Sequence, residues 1–161
     1  MGRFFQVTED LPGVWGLCSQ DIVDGKQPIA LCEAAMLPLT LMAMPELFRG
    51  RTIVWYVDNT SAMASFVKGA SKNEHLERIV VVFWFCVFHL DAQVWIEWVD
   101  SGANWSDGLS REFERDPFIA RHSFLVERIA PDTSWWAGPL SEVWARVSDR
   151  VRGTALGFGV M

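Results

Sequence analysis

Thr52-Ile53-Val54-Trp55-Tyr56-Val57 is the most strand-like run of the chain, and it ends abruptly on Asp58-Asn59-Thr60-Ser61. Its residues are β-branched or aromatic and almost continuously apolar, as expected of a central strand buried on both faces. The polar residues that follow make a strand-to-helix turn. Ser61 to Val67 then suits a short helix closed by Lys68-Gly69.

Working outward, the chain upstream changes at about Leu31 to Ala, Met and Leu, which favour helix. Pro38 lies inside that helix and is expected to kink or split it. Downstream, Ser71-Lys72-Asn73-Glu74 has the S-x-x-E form of a capping box. A helix should start there and run through Val82-Phe83-Trp84-Phe85 to about Leu90. Val94 to Val99 reads as another strand, and Asn104 can cap a final helix to about Phe113. Towards the N-terminus, Arg3 to Thr8, Val14 to Cys18 and Gln27 to Leu31 read as three short strands. Turns at Glu9 to Gly13 and Asp21 to Gly25 separate them, which is the signature of a β-meander. Three strands, helix, strand, helices, strand, helix predicts an α/β domain: a mixed five-stranded sheet flanked by helices. Residues 1–113 would form it, and 114–161 a loosely structured, partly helical C-terminal extension.

The totals fit this reading. At 161 residues the chain is long enough for one domain with a proper core. Half of it is hydrophobic, with 9 Trp and 11 Phe, which argues against disorder. With 14 basic against 20 acidic residues, the net charge of −6 disfavours a basic nucleic-acid coat protein. It does not exclude a nuclease, because clustered carboxylates lower the net charge and bound cations offset them. Cys18, Cys32 and Cys86 are scattered, with no CxxC spacing, and read as buried thiols of a reducing compartment. No secretory signal opens the sequence, and the apolar runs 29–45 and 79–90 read as core helices. The first contains Glu33 and Pro38, and the second is far below the roughly 20 residues a bilayer needs. An intracellular protein, cytoplasmic or nuclear, with no membrane partner is the expectation.

Three carboxylates stand out. Asp58 sits at the tip of the strand; Asp107 lies in Asn104-Trp105-Ser106-Asp107-Gly108-Leu109-Ser110-Arg111; Glu33 is the one charge between Lys26 and Glu46. Each has an ordinary explanation. The Asp58 segment can be a capped turn, Asp107 can favour a helix dipole at its third position, and Glu33 can form a salt bridge to Arg49 or Arg51. One chemistry accounts for all three. Two divalent cations about 3.5–4 Å apart can clamp the attacking and leaving oxygens of an in-line phosphoryl displacement. Magnesium wants hard oxygen ligands and keeps some waters, one of which can be the nucleophile.

These residues resemble the ribonuclease H fold, and more narrowly the ribonuclease H-like module of retroelement reverse transcriptases. That family has a glutamate on its first helix, a DN-T/S-A turn, a Lys-Gly-x-Ser step and an N-x-A-D-x-x-S-R ending. Glu33, Asp58-Asn59-Thr60-Ser61-Ala62, Lys68-Gly69-Ala70-Ser71 and Asn104 to Arg111 match these pieces in order, over about residues 3–113. The resemblance implies that Glu33, Asp58 and Asp107 hold two magnesium ions, with manganese as a substitute. A fourth carboxylate precedes a Gly-Trp-Gly-like segment, here Val14-Trp15-Gly16. Ungapped counting lands on Glu9, and a one-residue slip gives Asp10, the residue type the family expects. Ser106 replaces the usual Ala, and no histidine occupies 99–106, where cellular members place a catalytic one.

The implied activity is endonucleolytic hydrolysis of the RNA strand of an RNA–DNA hybrid. The alternative is a catalytically decayed binding or scaffold domain. Asn59, Lys68, Lys72, Asn104 and Trp105 are the candidate substrate contacts. Lys68 and Lys72, with Arg78, read first as a solvated helix face, with phosphate contact as the alternative, and most of the aromatics suit a core. Family modules usually follow a polymerase domain, so a reverse transcriptase domain in cis is a further expected partner. None accompanies these residues, and the chain reads as a fragment or a stand-alone remnant.

Overall fold

Thr52–Val57 is a strand, and it pairs in parallel register with Gln93–Trp98, Thr52 opposite Gln93 and Val57 opposite Trp98. A computed structural model of the protein describes residues 3–7, 28–104, 115–122, 125–129 and 138–153. In chain order the elements are β1 (Arg3–Val7), α1 (Pro28–Ala43), α2 (Pro45–Phe48), β2 (Thr52–Val57) and α3 (Thr60–Lys68). They continue with α4 (Glu74–His89), β3 (Gln93–Trp98), a 3-10 turn (Ser101–Ala103), α5 (Pro117–His122), β4 (Leu125–Ile129) and α6 (Leu140–Gly153).

The expected five-stranded mixed sheet is not seen among the described residues. Among the described residues there are two separate two-stranded sheets, β1 with β4 and β2 with β3, both parallel, in a molecule that is mostly helical. Two features account for the difference. The segment expected as a third strand, Gln27 to Leu31, instead opens α1 from Pro28 onward. Proline is pre-organised for a helix's first position and its missing N–H costs nothing there, and good helix formers follow. The strand at Arg3–Val7 does form, but it pairs with Leu125–Ile129 in the segment expected to be loosely structured. The expected strand at 14–18 lies outside the described residues.

β2 is also not buried on both faces. Exposure alternates along it, with Thr52, Val54 and Tyr56 exposed. Ile53, Trp55 and Val57 turn inward with Val94 and Ile96. Helix α3 packs on both strands, and α1, α3 and α4 pack on one another. The core gathers Leu31, Ala34, Leu41, Phe66, Ile79, Phe83, Cys86 and Leu90. Phe66 and Phe83 meet edge to face at 4.9 Å, and the Trp84 indole N–H donates to the Phe66 carbonyl at 3.1 Å.

Pro38 neither splits nor ends α1, which runs unbroken past it. Pro38 is fully buried, and its packing offsets the intrahelical hydrogen bond its ring removes. The start of α4 also differs in detail from the capping box. Asn73 is the cap, its side chain accepting from Leu76 N at 3.0 Å, while the Ser71 N–H donates to the Glu77 carboxylate.

Helix α6 docks on α4 and α1, burying Val143, Val147 and Val151. Two half-buried arginines hold it through its backbone. Arg78 donates to the Gly138 carbonyl before its first turn, and Arg49 to the Val151 carbonyl near its last, both at 2.7 Å. No helix among the described residues is long and apolar enough to cross a membrane.

Candidate functional site

The β2–β3 pairing delivers two chain segments to one place. Asp58 leaves the end of β2, and directly after it Asn59 caps α3, its side chain accepting from Ala62 N at 3.0 Å. β3 ends beside Asp58 because Trp98 is the register partner of Val57. The chain then turns through Ser101–Ala103, with the Asp100 carboxylate accepting from Gly102 N at 2.9 Å. That turn returns Asn104 to Asp58, and the Asn104 amide donates to Asp58 Oδ2 at 3.0 Å. Residues 46 apart in sequence are thereby joined. On the other side, the Trp98 indole N–H donates to the Asp58 backbone carbonyl at 3.3 Å.

Asp58 is therefore a half-buried carboxylate whose orientation is set by an amide on one oxygen. Such an outer hydrogen bond is the usual means of aiming a metal-ligating carboxylate. Glu33 lies on α1, on the same side as Met36 and Thr40, and is half-buried like them. It takes part in an interaction with its surroundings, so it is no isolated buried charge. Arg49, one of the two arginines suggested for it, makes its own bonds to Glu46 and the Val151 carbonyl. The other, Arg51, is exposed. α1 packs against α3, the helix that starts two residues after Asp58.

Among the described residues, no group of three or more His, Cys, Asp or Glu side chains is arranged to hold a metal ion. Glu9, Asp10, Trp105 and Asp107 lie outside the described residues. Of the expected ligand set, the structure thus presents Asp58 and Glu33, and of the expected substrate contacts Asn59, Lys68, Lys72 and Asn104.

Lys68 and Lys72 are both exposed, flanking the turn between α3 and α4. Arg78 is committed to the Gly138 carbonyl, so it serves the α6 dock. The thiol of Cys86 is fully buried and pushed up to about 12 by that burial, which makes it inert at neutral pH.

Trp98 is the site residue that the sequence reading missed. It is 47% exposed and bonded to the backbone of the strand-tip aspartate. A signal for it exists. Pairing the two strongest strand segments in parallel puts the Trp at the end of the second beside the Asp at the end of the first.

Comparison with known proteins adds no relative: no family model, no curated protein and no solved structure matches the chain.

Proposed function

We propose that the protein is a divalent-metal-dependent nuclease that cuts the RNA strand of RNA–DNA hybrids, of the type found in retroelement reverse transcriptases. The observation that carries the reading is the Asn104–Asp58 hydrogen bond. It joins the first residue of the Asn104–Arg111 motif to the carboxylate of the Asp58–Ala62 motif, two pieces singled out for the same chemistry. Three peptide units tether Asp107 to Asn104, a reach of no more than about 11 Å.

The donors suit magnesium, since Asp58 and Glu33 offer hard carboxylate oxygens. Asp58, Glu33, Asp107 and one of Glu9 or Asp10 would hold the ions. Bound there, they would activate water and neutralise charge on the scissile phosphate. Asn104 keeps Asp58 aimed, and Lys68 and Lys72 supply phosphate contacts whose affinity falls with salt. A wide, shallow minor groove lined by sugar hydroxyls would distinguish the hybrid from DNA.

The test is cleavage of an end-labelled RNA–DNA hybrid in magnesium by the parent protein and by Asp58→Asn. Cutting by the parent alone supports the proposal. A parallel thermal titration should show saturable stabilisation by magnesium that Asp58→Asn removes. Neither cutting nor stabilisation at millimolar magnesium would overturn it and leave a binding or scaffold role.

A further inference from the structure

Resting on that reading, we infer that Trp98 is a positioning residue for the metal site: its indole N–H pins the backbone carbonyl of Asp58 and thereby aims the carboxylate at the cation. Asp58 lies one residue past the last register pair of the sheet, Val57 with Trp98. At that end the Val99 N–H donates to the Val57 carbonyl at 3.1 Å. The next carbonyl, that of Asp58, is met by a side chain, the Trp98 indole at 3.3 Å. Alternation along β3 sets Trp98 on the face of Val94 and Ile96, which pack against the core.

Asp58 is thus held at two points by residues that arrive from β3 and the turn after it. Asn104 donates to Oδ2 at 3.0 Å, and Trp98 holds the main chain. Downstream, the Asn59 carbonyl accepts from Met63 N at 2.9 Å as α3 begins. A carbonyl fixed in space arrests rotation about the Asp58 Cα–C bond, and with it the direction in which the side chain leaves the backbone. Asn104 then selects the rotamer of a side chain whose starting direction is set. Magnesium tolerates little error there, because it demands a near-ideal octahedron with ligands at about 2.0–2.1 Å. Outer contacts of this kind orient metal ligands and tune the affinity of the site.

Trp95, the other exposed tryptophan of β3, supplies an internal comparison. Its N–H donates to the Glu97 carboxylate, two residues along its own strand, and that bond stays within β3. The bond of Trp98 reaches a residue 40 positions away in sequence and crosses from β3 to the tip of β2.

The experiment compares magnesium affinity, read by thermal titration at pH 8, in the parent, Trp98→Phe, Trp98→His and Trp95→Phe. Phenylalanine keeps a ring and loses the N–H. Histidine is neutral at that pH, and its five-membered ring places Nε2 where the indole nitrogen stands. Trp98→Phe should bind magnesium about 5-fold more weakly, the worth of one ordinary hydrogen bond, while Trp98→His and Trp95→Phe stay within about 2-fold of the parent. A second signature needs no metal. The Asn104 side-chain NH2 protons should exchange with water faster in Trp98→Phe than in the parent or Trp98→His, while the amides of the β2–β3 ladder exchange as before.

Either quantity unchanged in Trp98→Phe would overturn the inference while leaving the nuclease standing. So would an equal loss in Trp98→His, which assigns the effect to the size of the ring, or in Trp95→Phe, which assigns it to β3 at large. Faster exchange of the ladder amides along with Asn104 would make Trp98 a support of the sheet and overturn it as well. A parent that neither takes up magnesium nor cuts a hybrid would overturn both the inference and the reading beneath it.

Discussion

Asn104 and Asp58 show how much a single amide contributes to a carboxylate site. Asn104→Ala leaves Asp58 Oδ2 to water, and since both residues are only half-buried the fold should lose no more than about 1 kcal/mol. On the proposed reading, magnesium affinity should suffer more, by about 10-fold or above, the usual cost of removing an outer partner. Thermal titration with magnesium reads both quantities in one series. Gly69 is a second residue with a fixed task. It ends α3 at φ 71°, the left-handed conformation that a side chain disfavours. Gly69→Ala should cost about 1 kcal/mol in chemical denaturation although nothing crowds the new methyl group. At this scale the strand end before Asp58 and the helix end at Gly69 were legible in the motifs. Trp98 was not, because its importance comes from a register between strands more than thirty residues apart, and a one-dimensional reading assigns register last.

Elements with a strong local signal formed where expected, namely β2, α3, α4 and β3. The turn chemistry of Asn59, Gly69 and Asn73 fixes their ends independently of the rest of the molecule. Gln27–Leu31 misled because Ile29 and Leu31 suit strand and helix alike, and Pro28 tips the choice towards a helix start. The dock of α6 was illegible in sequence, since it depends on tertiary partners far along the chain. One of those partners titrates. His89, at the end of α4, receives an N–H of Arg152 at Nδ1 (3.4 Å), lies 2.6 Å from the Ser148 hydroxyl at Nε2, and meets the Trp144 ring at a tilt, 4.5 Å between centroids.

Arginine only donates, so Nδ1 must accept and Nε2 carries the proton given to Ser148. Burial first, and the Arg152 charge second, hold His89 below the ordinary histidine value of 6.5. The neutral ring is the form the folded state prefers, and the unfolded chain binds the proton more readily. The stability it contributes is therefore complete above about pH 6.5 and is lost as pH falls through the lower folded value. Melting at pH 5 and pH 8 should show a larger acid loss for the parent than for His89→Gln, whose side chain does not titrate.

On the scale of the whole molecule, cohesion comes from helix packing around Phe66 and Phe83 more than from either sheet. Phe83 is fully buried at the meeting of α3 and α4, in edge contact with Phe66 and Trp84. Phe83→Ala should cost about 3–5 kcal/mol, measured by urea unfolding, and Tyr56→Ala on the exposed sheet face under about 0.5 kcal/mol. A sheet of five strands was inferred from the order of elements, and order alone does not say which strands become neighbours. β1 finds its partner in β4, about 120 residues on, and no periodicity within either strand marks that choice.

The Asn104–Asp58 bond has a further consequence, in time. It closes a loop spanning α3, α4 and β3, and the entropy of that closure must be overcome before either residue meets the other. During synthesis Asp58 emerges well before Asn104, and the carboxylate has no orienting amide until β3 has paired with β2. The site is thus a late product of folding. A chain stopped short of residue 104 carries Asp58 and Glu33 but lacks the contact that aims the first of them, so proteolytic or translational fragments of the N-terminal part are born without this half of the site.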